Sequence, residues 1–421
     1  MKAMENQERR SAGEQQGGAM KKGWQTKKLA DLVEVQNGYA FSSKDYSESG
    51  HFLMRIGNVQ NGYISTADPK FIKLPADGSL KRFVVSEDDI LVSLTGNVGR
   101  VGVIQAEHLP AALNQRVARI SIRKDSPATR ELLLLFLCSD WFREELIGAG
   151  HGAAQQNVST KDLVEIKIPV PPLGEQQRIV GLLDEAFEGL ATAKANAEKN
   201  LQNARALFES HLQSVFTQRG TGWVEKRLAE VADFKNGLNF TRQSKGQTLR
   251  MVGVGDFQEH SVVPIETLQS VTIDGKLSDD YLIRRDDILT VRSNGSKDLV
   301  GRCMLVPDVD GMTSFSGFII RIRFDTRTLS PSFLLHFMKS SATRNRLTRD
   351  GGGANISNIN QAKLSELPVS LPSFKQQEEI ANRLDALHEE TQRLARLYER
   401  KLAALEALKK SLLHKAFTGA L

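Results

Sequence analysis

Reading a base edge takes Arg, Lys, Asn, Gln, Ser or Thr on loops that can enter a groove, whereas a phosphate needs only positive charge or an amide. Two places in the sequence have that composition. After Asp88-Asp89-Ile90-Leu91 comes Leu94-Thr95-Gly96-Asn97-Val98-Gly99-Arg100, and after Asp286-Asp287-Ile288-Leu289 comes Val291-Arg292-Ser293-Asn294-Gly295-Ser296-Lys297. The candidate contacts are Thr95, Asn97 and Arg100 in the first loop, and Arg292, Ser293, Asn294, Ser296 and Lys297 in the second. The loops differ while their flanks agree. That is expected if each meets a different base sequence, although surface loops diverge for other reasons too.

Two further pairs of segments are candidates. Asn37 to Ser43 (NGYAFSS) corresponds to Asn236 to Arg242 (NGLNFTR), offering Tyr39, Phe41, Ser42, Asn239 and Arg242. The aromatic rings could touch sugar or base, or anchor the turn to a core. Gln155, Gln156 and Asn157, matched by Asn355 and Asn358, fall in Gly-rich turns; such amides can pair with adenine in bidentate fashion or simply satisfy the turn. Arg55 to Val59 and Arg250 to Val254 are expected to be core strands with a polar edge.

The residue types that catalysis would need are missing in useful combinations. There is no GxxxxGK[ST] loop, no GxGxxG between strand and helix, no HExxH and no GxSxG. Cys138 and Cys303 stand apart, without metal-ligand spacing, and are expected to be buried thiols. Gly351-Gly352-Gly353 is expected to be a turn rather than a phosphate cradle. Glu165-Ile166-Lys167 resembles the end of a metal-dependent nuclease signature, but strand alternation accounts for it, and its counterpart is Glu366-Leu367-Pro368. No catalytic or metal-binding residues are assigned.

The elements that must position these residues are written twice. Trp24 to Gly38 (WQTKKLADLVEVQNG) returns as Trp223 to Gly237 (WVEKRLAEVADFKNG), displaced by 199 residues. Leu163, Glu165, Pro171, Gln176, Ile179, Leu183 and Asp184 recur as Leu364, Glu366, Pro372, Gln377, Ile380, Leu384 and Asp385, and Phe216-Thr217 as Phe417-Thr418, all displaced by 201. Two copies are too few for a solenoid. Each half opens with short β-branched runs between turn signals, which predicts a mixed α/β globule. Within these, Leu132 to Ile147 and Phe333 to Leu347 are each predicted to be one amphipathic helix.

Each half then turns into proline-free sequence rich in Ala, Leu, Glu, Lys and Gln, which predicts a long helix. In the first, Ile179, Leu183, Ala186, Leu190, Ala193, Ala197, Leu201, Ala204, Phe208, Leu212 and Val215 make a seam; in the second, Ile380, Leu384, Leu387, Thr391, Leu394, Tyr398, Leu402, Leu405 and Leu413 do. A helix from Glu175 to Thr217 would be about 65 Å long. Its seam would be buried most simply against the other half's helix; seam spacing leaves parallel and antiparallel pairing open. Arg393, Arg396, Arg400, Lys401, Lys409 and Lys410 are read as a solvated or partner-facing surface, and Ala191 to Ala197 as a site of close helix packing.

The expected fold class is therefore α+β: two mixed α/β domains separated by two long helices in an intramolecular coiled coil, with a pseudo-twofold repeat. The expected boundaries are a disordered tail at 1–20, domains at 21–173 and 220–374, and long helices at 174–219 and 375–421. At 421 residues with 40% hydrophobic and 25% charged residues, the chain is in the globular range. No apolar run is long enough for a membrane span and the N-terminus lacks an apolar signal core, so the expected location is the cytoplasm. The net charge of +6 permits nucleic-acid binding without requiring it.

With the order globule, Pro169-Val170-Pro171-Pro172-Leu173-Gly174-Glu175-Gln176-Gln177 helix, globule, Gln376-Gln377-Glu378-Glu379-Ile380 helix and a terminal HKAFTGAL, the sequence resembles the specificity subunit of type I restriction-modification enzymes. The resemblance covers nearly everything from Lys21 onward. It implies two target-recognition domains, each reading half of a bipartite double-stranded DNA target, and long helices that pair antiparallel. Those helices would set the spacer and dock two methyltransferase subunits, with restriction and translocase subunits completing the assembly. It also implies that S-adenosylmethionine, ATP and Mg are bound by those partners rather than by this chain. Two rival readings remain: a coiled-coil protein-binding scaffold, and a single-chain DNA-modifying enzyme with an unrecognised site.

Overall fold

Ile90–Ser93 and Ile288–Val291 are short, almost continuously apolar runs, and such a strand needs cover on both faces. Both have it in the computed structural model, which describes residues 21–150, 157–218, 220–241, 243–258, 260–296, 298–348 and 358–421. Each strand lies inside a four-stranded antiparallel sheet. The order is Val101–Val103, Ile90–Ser93, Val117–Ile122, Val33–Asn37 in the first half, and Cys303–Leu305, Ile288–Val291, Ile319–Phe324, Ala232–Asn236 in the second. The register repeats as well: Ile90 faces Ile120, and Ile288 faces Ile322. Because side chains alternate along a strand, Ile90 and Val92 join a core with Leu132, Phe136 and Phe142, while Leu91 joins another with Phe52, Met54 and Leu113. Ile288 and Leu289 divide between two cores in the same way.

The second of those cores lies under another sheet, five-stranded in the first half and three-stranded in the second, built around a parallel pair, His51–Met54 with Ala111–Leu113, or Thr248–Val252 with Thr313–Phe315. Here the strand expected at Arg55 to Val59 is displaced. The strand ends at Met54, and Arg55 to Asn58 form a turn held by the Asn58 side chain, whose Oδ1 accepts the Arg55 N–H (3.2 Å). In the second half the strand stops at Val252, before the 3-10 turn Val254–Phe257. An antiparallel ribbon closes each globule, Gln25–Lys28 with Lys167–Val170 and Val224–Arg227 with Pro368–Leu371.

The two single helices expected inside the globules are each broken in two, Arg130–Leu137 and Asp140–Ala149, and Pro331–Lys339 and Ser341–Thr348. A buried serine makes each break. Ser139 Oγ donates to Phe136 O (2.6 Å) and accepts the Phe142 N–H (3.1 Å); Ser340 Oγ donates to Phe337 O (2.9 Å) and accepts the Thr343 N–H (3.3 Å). One hydroxyl thus ends one helix and caps the next. Cys138, at the first break, is exposed and not buried as expected, whereas Cys303 is buried.

The long helices are Leu173–Thr217 and Phe374–Thr418, 45 residues each, the first starting two residues before the expected Glu175. Every seam residue inferred from spacing is buried or half-buried. The described residues divide into two compact units, one running to Asn196 and adding Lys401–Leu421, the other Ala197–Arg400. Within the first unit, Arg178 Nη2 donates to Leu421 O (2.9 Å) and Lys194 pairs with Glu406 (3.0 Å). Within the second, Phe208 packs on His388 (4.6 Å between ring centroids) and Arg205 pairs with Glu399 (2.7 Å). As the number rises on one helix it falls on the other in the first unit, so the pairing is antiparallel. The fold is α+β with an internal repeat.

The PxPPLxEQQ motif has a mechanical role. Gln176 is buried in the first turn of its helix, where Oε1 accepts the Thr129 N–H (2.8 Å) and Nε2 donates to Pro127 O and Pro171 O (2.7 and 2.8 Å). Gln377 repeats this with the Ser330 N–H, Thr328 O and Pro372 O. Each glutamine fastens a long helix to its own globule.

Candidate nucleic-acid interface

In the first unit the backbone stitches three loops together. The Tyr39 N–H donates to Leu113 O (2.9 Å), and Tyr39 O accepts the Gln115 N–H (2.9 Å). The Leu94 N–H donates to Arg116 O (3.0 Å), and Leu94 O accepts the Val158 N–H (2.9 Å), with Thr95 bridged to Asn157. The loop at 37–43, the loop at 94–100 and the turn Asn114 to Arg116 therefore form one surface. Gly38 is what permits the closest approach, since a Cβ there would lie 2.1 Å from Asn114 O.

The second unit repeats this scaffold bond for bond. The Leu238 N–H donates to Phe315 O (2.9 Å) and Leu238 O accepts the Gly317 N–H (2.7 Å). The Arg292 N–H donates to Phe318 O (2.9 Å), Arg292 O accepts the Ile359 N–H (2.7 Å), and Ser293 is bridged to Asn358. A Cβ on Gly237 would again sit 2.1 Å from a carbonyl, that of Ser316.

The candidate side chains have different fates on this surface. Tyr39 is 41% exposed, with Phe41 and Phe83 against it at 4.9 and 5.4 Å between centroids. Phe41 packs into a core with Leu53, Ile72 and Ala112. Ser42 caps a short 3-10 turn, its Oγ accepting the Lys44 N–H. Asn97 is exposed and Thr95 half-buried, whereas Arg100 Nη1 donates to Gln60 Oε1 (2.7 Å) across the loop. In the second unit Asn239 and Ser296 are exposed, and Arg292, Ser293 and Asn294 are half-buried, with Asn294 Oδ1 accepting the Ser296 N–H (2.8 Å). Gln155, Gln156, Arg242, Lys297, Asn355 and the Gly351 to Gly353 run lie outside the described residues.

The turn between the two sheets belongs to this surface too, outside the candidates named from sequence. Gln115 and Arg116 are exposed at the centre of the first surface, and Gly317 and Phe318 take their places in the second. A signal existed: a polar triplet Asn114-Gln115-Arg116 between two apolar runs, differing from Ser316-Gly317-Phe318 while the flanks agree. Arg116 and Arg292 have no side-chain hydrogen bond or ion pair with any described residue. Neighbouring arginines do, as in Arg119 with Asp89 (3.3 Å) and Arg323 with Asp287 (2.6 Å).

The nuclease-like triplet dissolves in the structure. Glu165 ends the helix Thr160–Glu165 rather than alternating along a strand, and pairs with Lys28 (2.5 Å), whose ammonium it holds above its ordinary range through that hydrogen bond. No cluster of three His, Cys, Asp or Glu side chains suited to a metal ion occurs among the described residues, and no described helix is long and apolar enough to cross a membrane. Of the cationic residues on the second helix, Lys410 pairs with Asp140 (3.0 Å), Lys409 lies over Phe187 (5.1 Å) and Arg393 pairs with Glu390 (2.6 Å).

Residues 21–201 and 220–400 each match the family model described as type I restriction modification DNA specificity domain. The chain is 25% identical to the type I restriction enzyme StySPI specificity subunit of Salmonella potsdam, covering 96% of this chain and 90% of that one. It is 24% identical to the EcoKI specificity subunit of Escherichia coli K12, with the same coverage. Among solved structures, a chain from a type I R-M system assembly aligns over 96% of this chain and 100% of its own, at TM-score 0.75 and 20% identity. The HsdS subunit from Thermoanaerobacter tengcongensis aligns over 96% and 99%, at TM-score 0.60 and 18% identity. At such identities the structures speak for the fold.

Proposed function

The chain belongs to the type I restriction modification DNA specificity domain family, and from that premise we propose that it is the sequence-reading subunit of a type I restriction-modification complex. Each unit reads one half of a bipartite duplex target, and the paired helices set the spacer between the halves. The observation that carries this reading is the repeated surface: one backbone scaffold, bond for bond, presenting different side chains in its two copies. A reader of two unlike half-sites needs that combination. Tyr39, Thr95, Asn97, Asn239, Arg292, Ser293, Asn294 and Ser296 are the proposed contacts among the described candidates, joined by Gln115 and Arg116. Arg100, Phe41 and Ser42 support their loops, and any DNA contact they make adds to that task.

The chain in this reading has no catalysis of its own. Two methyltransferase subunits dock on the helices and restriction subunits join them; S-adenosylmethionine, ATP and Mg are held by those partners, and the complex works in the cytoplasm. Leu207 and Leu408, equivalent positions of the two helices, are 52% and 48% exposed, which suits a repeated docking surface. Exchanging Gly38 to Leu173 for a homologous globule is expected to change one half-site of the methylated sequence, mapped in cells carrying the complete system, and to leave the other intact. An unchanged methylation pattern would sink the proposal. Methyl transfer by the purified chain alone would instead favour the single-chain enzyme, and partner binding with no salt-sensitive duplex affinity would favour the scaffold.

A further inference from the structure

The two recognition surfaces differ most simply at one hydrogen-bonded pair. In the first unit the pair is Leu94 and Arg116; in the second it is Arg292 and Phe318. The backbone bond is the same in both, yet the basic and apolar side chains have changed places across it. Leu94 is buried and Arg116 exposed, whereas Phe318 is 60% exposed beside a half-buried Arg292. The second unit thus presents an exposed phenylalanine on a turn beside an arginine whose side chain has no hydrogen-bond or ion-pair partner among the described residues, an apolar and a basic group offered together.

We propose that this transposed pair is specificity-determining, with Phe318 contacting the 5-methyl group of a thymine in the half-site read by the second unit while Arg292 holds the neighbouring phosphate or base edge. The thymine methyl is the one apolar group on a major-groove base edge, and phenylalanine suits it. At the equivalent position of the first unit, Arg116 offers a guanidinium fork, which suits guanine O6 and N7 and not a methyl. The inference rests on the proposed function, since it presumes that these surfaces read duplex DNA.

The test uses the assembled methyltransferase complex and duplexes carrying its mapped target. Each thymine of the second unit's half-site is replaced in turn by uracil, which removes only the methyl, and competition binding is measured for wild type and Phe318→Ala. One replacement is expected to weaken wild-type binding on the order of threefold to tenfold. Phe318→Ala should bind the unmodified target more weakly by a similar factor and should no longer distinguish uracil from thymine at that position. Absence of any uracil-sensitive position in wild type overturns the inference, and this arm needs no variant. So does a half-site without thymine, or a Phe318→Ala complex that keeps full discrimination whatever its affinity. In all three cases the wild-type complex remains sequence-specific; only failure of the underlying function removes that specificity, so the two failures are distinguishable.

Discussion

At the scale of single residues, the repeat acts as an internal control, because a side chain with the same contacts in both halves has a structural job. Gly38 and Gly237 are such a pair, each facing a carbonyl at a distance no Cβ tolerates. Alanine at either position is expected to cost about 1–3 kcal/mol through forced displacement of its loop, seen as a lower urea midpoint with an unchanged slope. Glu175 makes a prediction about pH. Hydrogen bonds from Arg178 and then Lys21 lower its carboxyl from 4.5 to about 2. A depressed carboxylate stabilises the fold above its unfolded value, and the contribution fades as the pH falls through the folded one. The stability difference between wild type and Glu175→Gln should therefore be constant above about pH 4.5 and shrink toward pH 2 in an acid titration. The motif around Glu175 was legible in the sequence as a repeated string, but the clamp made by Gln176 was not, because its partners at Pro127 and Thr129 are distant in sequence.

At the scale of elements, strand and helix texture was readable because periodicity is local. The Asp-Asp-Ile-Leu runs gave strands, and the spacing of apolar residues picked out a seam that is buried or half-buried along both long helices. The amphipathic stretches Leu132 to Ile147 and Phe333 to Leu347 misled for the same reason, since a buried serine that caps looks much like one on a polar face. Ser139→Ala and Ser340→Ala should each cost about 1 kcal/mol, measured by chemical denaturation, through loss of the cap at the second helix of each pair. The candidate loops are legible where they directly follow a strand. The turn at Gln115 and Arg116 escaped notice because it joins strands of two different sheets, which no run of sequence reveals.

At the scale of the whole molecule, the question is which helix completes which core. Phe417, near the end of the chain, packs edge-on to Phe136 in the first unit (5.2 Å), and Phe216 packs likewise on Phe337 in the second (5.6 Å). Removal of Lys401–Leu421 is therefore expected to uncover the first unit's core and not the second's. Hydrogen exchange should quicken at 130–149 while 331–348 keeps its protection; equal loss in both, or loss confined to the second, would contradict this assignment. The sequence alone determined the duplication, the α+β textures, the long helices and the identity of their seams, because each is a pattern of neighbours along the chain. Only the tertiary structure decided the partners. Five residues link Thr217 to Trp223, a reach of about 22 Å at most, which keeps Phe216 near the second globule. Nothing so local directs Phe417 to Phe136, because each repeat carries a phenylalanine at the equivalent position, Phe136 or Phe337, and only the packing of the helix end into the first unit's core makes the choice.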